Sequence, residues 1–117
     1  MITGIHHVSI IASGEESILF YSKLGFTEYK RVVRKYDTVV LMYAHGIGLE
    51  IFIDPTHPPR ATQPENIGLR QLSLRVDNIE KTIQELNLEA GPIINDWVGV
   101  RFCFVADPDG LPVQLHE

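Results

Sequence analysis

The stretch His7-Val8-Ser9-Ile10 reappears 64 residues later as Gln71-Leu72-Ser73-Leu74. The same offset relates Leu49-Glu50-Ile51 to Val113-Gln114-Leu115. A constant offset over most of a 117-residue chain indicates one small unit used twice. A unit of roughly 50 residues would be marginally stable alone, whereas the whole chain can bury a substantial core. The sequence therefore predicts a single domain, 1–117, in which the two halves fold as one body.

Four polar residues stand at matching places in the two halves, within otherwise apolar strand patterns: His7, Glu50, Gln71 and Gln114. A polar side chain that a sheet takes out of water needs a partner. These four positions are therefore the first candidates for a binding site.

Hydrophobic patterns predict the order strand, helix and three strands in each half. The predicted strands are 4–12, 26–34, 37–44, 47–53, 69–76, 93–94, 98–106 and 111–116. Ser13-x-x-Glu16 and Asp77-x-x-Glu80 have the spacing of capping boxes, which predicts that Ser13 and Asp77 cap the two helices. The predicted class is α+β, with two βαβββ modules and curved mixed sheets rather than a doubly wound sheet.

Four prolines between residues 55 and 64 predict a linker over 55–68, because proline at this density prevents regular structure. Module 1 then spans about 4–54 and module 2 spans 69–117. The turn chemistry of Asp107-Pro108-Asp109-Gly110 predicts a tight connection before the last strand.

Paired βαβββ modules in a short chain resemble the vicinal oxygen chelate (VOC) superfamily, which includes glyoxalase I, bleomycin-resistance proteins, fosfomycin-resistance enzymes and extradiol dioxygenases. The resemblance rests on Ile5-His6-His7-Val8, on Phe20-Tyr21-x-x-Leu24-Gly25-Phe26, on Gly68-Leu69-Arg70-Gln71-Leu72, and on Arg101-Phe102-x-Phe104 followed by the Asp107 turn. The chain is most similar to small bacterial lactoylglutathione-lyase-like proteins. The resemblance implies a cup between the modules that holds a small molecule and often a divalent metal.

The family's metal ligands, carried over by position, fall on His7, Glu50, Gln71 and Gln114. Glutamine stands where such members usually have histidine (Gln71) and glutamate (Gln114). Because an amide oxygen is a neutral and weaker ligand, the sequence predicts that Zn, Ni or Mn binds weakly or not at all. Glutamine cannot accept a proton, so Glu50 is the remaining candidate for a catalytic base.

Two functions stay open at this point. One is a metal-dependent lyase or isomerase resembling lactoylglutathione lyase, which acts on a substrate with adjacent oxygens. The other is a non-catalytic, metal-free binding protein of the bleomycin-resistance type. An extradiol dioxygenase needs two histidines and a carboxylate around iron, and a fosfomycin-type transferase would need histidine and glutamate in place of the two glutamines. The sequence favours neither of these.

Other side chains are weaker candidates. Arg70, Arg101 and Trp97 are predicted to contact the small-molecule ligand, although arginines at a rim more often form surface ion pairs. His6 is predicted to point away from His7 by strand alternation. His116 shares the face of Gln114 and could replace a missing ligand, but it is penultimate in the chain and liable to fray.

His45 and His57 are predicted to be solvated, and Cys103, inside an apolar run, to be a small buried hydrophobe.

The amino-acid composition argues against nucleic acid and membranes as partners. The formal charge is −5 and no Lys/Arg cluster stands out, which argues against nucleic acid. No apolar run approaches the ~20 residues that span a bilayer, and no signal-peptide pattern opens the chain. A cytoplasmic protein without membrane contact is expected. Because open sheet edges need covering, and because the family usually pairs chains, a homodimer is expected too.

Overall fold

The structure, a computed structural model, describes all residues from 1 to 117 and has two helices and eight strands. The strands form two four-stranded mixed sheets, so the predicted α+β class with paired βαβββ modules is confirmed. The elements are β1 (His7–Ala12), α1 (Glu16–Lys23), β2 (Thr27–Val33), β3 (Thr38–Ala44), β4 (Ile47–Ile53), β5 (Leu72–Arg75), α2 (Ile79–Leu86), β6 (Ile94–Asn95), β7 (Arg101–Ala106) and β8 (Pro112–His116).

The chain divides into two compact units, Met1–Pro58 and Pro59–Glu117. The division falls within the predicted linker. No named strand or helix lies between β4 and β5, and the segment contains one isolated bridge, between Thr62 and Glu65. The four prolines of this segment therefore lie outside every named helix and strand.

The two sheets share one topology. The strand order is β1-β4-β3-β2 in the first unit and β5-β8-β7-β6 in the second, and in each the first strand runs parallel to the last. Ser9 lies opposite Glu50 in the first sheet, and Ser73 lies opposite Gln114 in the second. The 64-residue offset is therefore kept residue by residue across both parallel pairs.

The repeat loses this register at β7. Leu41 lies opposite Glu50 in the first unit, whereas Phe104 lies opposite Gln114 in the second, which is an offset of 63. The cause is a hairpin that has one more residue between these paired positions in the second unit than in the first. Asp107, which is buried, organises it by accepting hydrogen bonds from the backbone N–H groups of Asp109 and Leu111, each at 2.9 Å.

The core lies on one face of each sheet. Alternation along β1 buries Ile10 and Ala12, whereas Ser9 and Ile11 are exposed. The same alternation in the second unit buries Val113 and Leu115 and leaves Gln114 only half-buried. The opposite face of each sheet, here called the open face, therefore carries the polar positions of the repeat.

Cys103 is fully buried, as predicted, and burial raises the pKa of its thiol. A thiol that is shielded from water and hard to ionise is a poor nucleophile. Cys103 therefore belongs to the core of the second unit.

The predicted cap of α2 is wrong, and the N-cap of α1 is Glu15 rather than Ser13. α1 begins at Glu16, and the Glu15 side chain makes no capping hydrogen bond; the Gly14 carbonyl accepts a hydrogen bond from Ser17 N–H at 3.3 Å. α2 is capped by Asn78, whose Oδ1 accepts a hydrogen bond from Lys81 N–H at 2.8 Å. Asn78 is extended (φ −150°), as an N-cap should be, and is as good a cap as aspartate.

The strands are shorter than predicted at their N-termini. β1 begins at His7 and β5 at Leu72, so Gln71 lies immediately before its strand. The residue next in register on β8 is Pro112, which has no N–H for a ladder bond. No helix of the structure combines the length and the apolar character needed to cross a membrane.

Candidate metal and ligand site

The open face of the first sheet brings a histidine and a glutamate together. His7 opens β1, and Glu50 lies in the middle of the neighbouring parallel strand β4. The two residues are diagonal neighbours on one face, and His7 Nδ1 lies 3.1 Å from Glu50 Oε2. Their side chains are 35% and 22% exposed, so both can be reached by a ligand while being held by the sheet.

A glycine allows this close approach. Gly48 lies opposite His7, and its N–H donates a hydrogen bond to the His6 carbonyl at 3.2 Å. A Cβ at this position would lie 3.1 Å from the His6 oxygen and 3.2 Å from His7 Cβ, which is tighter than ordinary contact. The absence of a side chain at Gly48 therefore lets the backbone of His6 and His7 lie close to β4.

The prediction for His6 is wrong. Its ring lies edge-to-face against that of His7, with centroids 5.1 Å apart, and the two Nδ1 atoms are 2.8 Å apart. Strand alternation does not govern His6, because the strand begins one residue later. Its ring is exposed, as expected, but it joins the His7 group instead of pointing away from it.

His6, His7 and Glu50 offer three ligand atoms within 4.8 Å of one another. Imidazole nitrogen and carboxylate oxygen are donors that suit Zn, Ni and Mn. The chemistry of this group therefore fits the divalent metal that the sequence resemblance implies.

The second unit carries the two glutamines around a cavity. The cavity measures about 690 Å³, within the range of small-molecule sites. Gln71 and Gln114 line it together with aromatic side chains, and Phe102 and Phe104 meet edge-to-face with ring centroids 5.6 Å apart. Ser73 Oγ donates a hydrogen bond to Gln114 Oε1 at 2.7 Å. Amide groups beside aromatic rings suit a planar polar molecule.

Two of the three predicted ligand-contacting residues line this cavity. Trp97 is almost fully exposed there, so its ring is available to a ligand. Arg70 also lines the cavity, but its guanidinium is paired with Glu65, at 2.9 Å from Nη2 to Oε1. That hydrogen bond is the main reason that the pKa of Glu65 is lowered.

Arg101, the third predicted contact, is not among the residues that line the cavity. Its guanidinium is paired with Glu80 and lies 3.8 Å from Glu117 Oε2. It forms the ion pairs that are usual for a rim arginine, and a role in ligand contact stays a prediction.

His116 is held away from a ligand role by its neighbours. It lies in β8, with Nδ1 2.8 Å from the Glu117 carbonyl oxygen and Nε2 3.1 Å from Asp96 Oδ2. Its ring stacks on Phe102 at an interplanar angle of 6°. Both ring nitrogens thus face oxygen acceptors, and the ring is fixed despite its penultimate position.

Sequence reasoning missed Asp96. Its Oδ1 accepts hydrogen bonds from the N–H groups of Val98 and Val100, at 2.9 and 2.8 Å, in the turn that carries Trp97. The N–H of Val100 is the largest cause of the lowered pKa of Asp96, and His116 adds to it. The signal was Asp96-Trp97-Val98-Gly99, an aspartate three residues before a glycine at positive φ, which is typical of such turns.

The other two histidines make local contacts. His45, in the β3–β4 turn, places Nε2 2.9 Å from the Leu24 carbonyl oxygen and packs its ring against Phe26. His57, in the linker, lies 3.4 Å from Asp54 Oδ2. His45 is thus more engaged with the protein than the sequence suggested.

Comparison with known proteins bears on these positions. The sequence profile of the Glyoxalase/Bleomycin resistance protein/Dioxygenase superfamily matches residues 4–115. The chain belongs to this superfamily. The resemblance inferred from the repeat and its motifs is therefore confirmed. The matched range includes the four candidate positions, His7, Glu50, Gln71 and Gln114.

Relatives of the VOC protein are similar over their full length. The uncharacterized protein YwkD of Bacillus subtilis (strain 168) is 40% identical, with 100% of this chain and 98% of YwkD covered. The uncharacterized protein YaeR of Escherichia coli (strain K12) is 34% identical, with 97% and 95% covered. The glyoxalase family protein from Enterococcus faecalis is 37% identical in sequence, and its crystal structure superimposes with a TM-score of 0.89 over 97% of each chain.

Proposed function

We propose that this VOC protein binds a small polar molecule beside a weakly held divalent cation, and that it acts as a lyase or isomerase of the glyoxalase type. The observation that carries the proposal is the contact between His7 and Glu50 on the open face of the first sheet, at 3.1 Å. An imidazole and a carboxylate stand at two of the family's ligand positions. Gln71 and Gln114, at the other two, complete the proposed ligand set as weak neutral donors.

The chemistry assigned to the protein follows from these side chains. A bound divalent cation would polarise adjacent oxygens of the substrate. Glu50 can take a proton from the carbon beside a carbonyl and return it to the neighbouring carbon, since its carboxylate reaches solvent beside His7. Gln114 cannot exchange protons, so one carboxylate would serve both directions of transfer.

The ligand-binding part of the proposal rests on the cavity of the second unit. Gln71 and Gln114 offer amide donors and acceptors, and the aromatic side chains offer flat apolar surface. Arg70 is paired with Glu65, and the other two charged lining residues, Arg60 and Glu89, have opposite signs, so the charges around the cavity balance. A neutral polar or aromatic molecule fits these surroundings better than a strongly anionic one.

The second candidate function is metal-free binding without catalysis. It is favoured by the hydrogen bond from Ser73 to Gln114 Oε1, which already uses one of the two lone pairs of the atom that would ligate a cation. In that case the cavity would bind its ligand in the same way, and His7 and Glu50 would serve as a polar pair on the first sheet.

A glyoxalase assay with added nickel, zinc or manganese distinguishes metal-dependent catalysis from metal-free binding. We expect metal-dependent turnover in the wild type and its loss, by about 10²-fold or more, in Glu50→Gln, because general-base catalysis contributes on this scale. Glu85→Gln, an exposed helix glutamate, is the matched control and should keep full activity. Activity that survives Glu50→Gln would contradict the role of Glu50, and no metal-dependent turnover would favour the second candidate.

Pairing of two chains stays part of the proposal. Light scattering at micromolar concentration should give about twice the chain mass of 13.2 kDa. A species of the single-chain mass alone would contradict it.

A further inference from the structure

We propose that His6, a residue outside the family's usual ligand positions, is a third strong ligand of the cation and compensates in part for the two glutamines. The inference rests on the proposed function for the use of His7 and Glu50, and it adds a residue to which no role was assigned. The observation behind it is the close group formed by His6, His7 and Glu50, each of which offers one ligand atom within 4.8 Å of the other two.

The side chains of His6, His7 and Glu50 bring together more hydrogen-bond acceptors than there are protons to share between them. His7 Nδ1 carries at most one proton, yet it lies 2.8 Å from His6 Nδ1 and 3.1 Å from Glu50 Oε2. One N–H cannot point well at both atoms, because hydrogen bonds weaken steeply away from linearity. A cation at the centre would accept lone pairs from all three atoms at once.

The spacing agrees with coordination. Ligand atoms bonded to zinc at about 2.0–2.2 Å in a tetrahedron lie roughly 3.3–3.6 Å apart. The separation between the two histidine nitrogens, 2.8 Å, would have to widen by roughly 0.5–0.8 Å, and that between His7 and Glu50, 3.1 Å, by roughly 0.2–0.5 Å. Rotation of the His6 ring can supply the larger change, since His6 is exposed and precedes β1.

The backbone holds His6 near the other two ligands. Its carbonyl accepts a hydrogen bond from Gly48 N–H, on the strand that carries Glu50. A side chain at Gly48 would crowd both histidines. The position of His6 is therefore set by β4 as well as by its sequence neighbour, and replacing its ring leaves the backbone bond in place.

The proposal also explains how two weak ligands could be tolerated. His7 and Glu50 alone give two strong donors, whereas tetrahedral zinc sites with an open position usually have three protein ligands. His6 brings the number of strong donors to three within the first unit. Gln71 and Gln114 would then add little to affinity.

Zinc titration by calorimetry on the wild type and on His6→Ala tests the inference. We expect His6→Ala to weaken zinc binding at least tenfold, whereas His57→Ala, an exposed linker histidine, should leave it unchanged. Circular dichroism should show that both variants are folded. Nitrogen NMR of the imidazoles should show the His6 Nδ1 resonance shifting on addition of zinc in the wild type. Unchanged affinity in His6→Ala, or no zinc binding by the wild type, would overturn the inference.

A second comparison separates this inference from the proposed ligand set. In the Gln71→His/Gln114→Glu background, adding His6→Ala should cost little, because the restored ligands make His6 redundant; contacting ligands are non-additive in this way. If the double substitution brings no gain while His6→Ala still weakens the wild type, the four-residue set fails and the His6 site stands. If the double substitution tightens binding and His6→Ala has no effect on the wild type, the His6 site fails and the four-residue set stands.

Discussion

Ser73 Oγ donates a hydrogen bond to Gln114 Oε1 across two neighbouring parallel strands, at 2.7 Å. The contact uses one of the two lone pairs of the oxygen with which Gln114 would ligate a cation. A glutamate at this position would accept the same hydrogen bond and bring a negative charge. The second unit is therefore arranged to accommodate a carboxylate where it has an amide, which makes Gln114→Glu a conservative way to test the site.

Asn78, rather than Asp77, should stabilise α2. Asn78→Ala removes the acceptor for Lys81 N–H and should cost about 1 kcal/mol of unfolding free energy. Asn78→Asp should restore the loss, because aspartate caps equally well. Urea unfolding of the two variants and of Asp77→Ala checks the order. If Asp77→Ala lowered the free energy of unfolding more than Asn78→Ala, Asp77 would be the residue that caps α2.

Ile51 and Leu115 are equivalent positions in the two modules, and both are buried. Truncation of either to alanine should cost about 2–5 kcal/mol, since each leaves a cavity in a packed core. Ile67→Ala, at a fully exposed linker position, should change stability by no more than about 0.5 kcal/mol. Thermal or denaturant unfolding measures all three. If Ile51→Ala or Leu115→Ala cost no more than the control, the equivalence of the two cores would be wrong.

Asp96 should contribute stability that acid removes. Backbone N–H groups, chiefly that of Val100, and then His116 hold the pKa of Asp96 below its ordinary value. The ionised form is thus favoured in the folded state, so the contribution is present above about pH 4, the ordinary range of aspartate. It is lost as the pH falls through the lower folded-state pKa.

Asp96→Asn should therefore lower the melting temperature at pH 7 and flatten its decline below about pH 4. Asp77→Asn, at an exposed aspartate, is the control. Melting curves between pH 2 and 7 provide the comparison. Superimposable pH profiles for the wild type and Asp96→Asn would show that the carboxylate does not act in this way.

The repeat predicted the fold because the constant offset of 64 residues also fixes which residues of the second sheet pair once the pairing in the first sheet is known. Ser9 opposite Glu50 and Ser73 opposite Gln114 follow directly from it. The cap of α2 was wrong because Asp77 competes with the neighbouring Asn78, which has equal capping strength. Which of two adjacent residues becomes the N-cap depends on where the preceding strand ends, and the local sequence does not determine this.

The candidate site was only partly predictable. Strand alternation brought His7 and Glu50 to one face, as expected. It misplaced His6, because β1 begins at His7, three residues after the predicted start of the strand at residue 4. Asp96 was missed because its partners, Val100 and His116, meet only in the folded turn. Contacts made outside the strands were the ones that periodicity could not predict.

The central proposal is that this VOC protein binds a divalent cation through His7 and Glu50, and that the neutral amides of Gln71 and Gln114 make this binding weak. Calorimetric zinc titration of the wild type beside Gln71→His/Gln114→Glu tests it most directly. The account predicts weak binding by the wild type and at least tenfold tighter binding by the variant, because an imidazole and a carboxylate replace two amides. A correctly folded variant that binds zinc no more tightly than the wild type would contradict it.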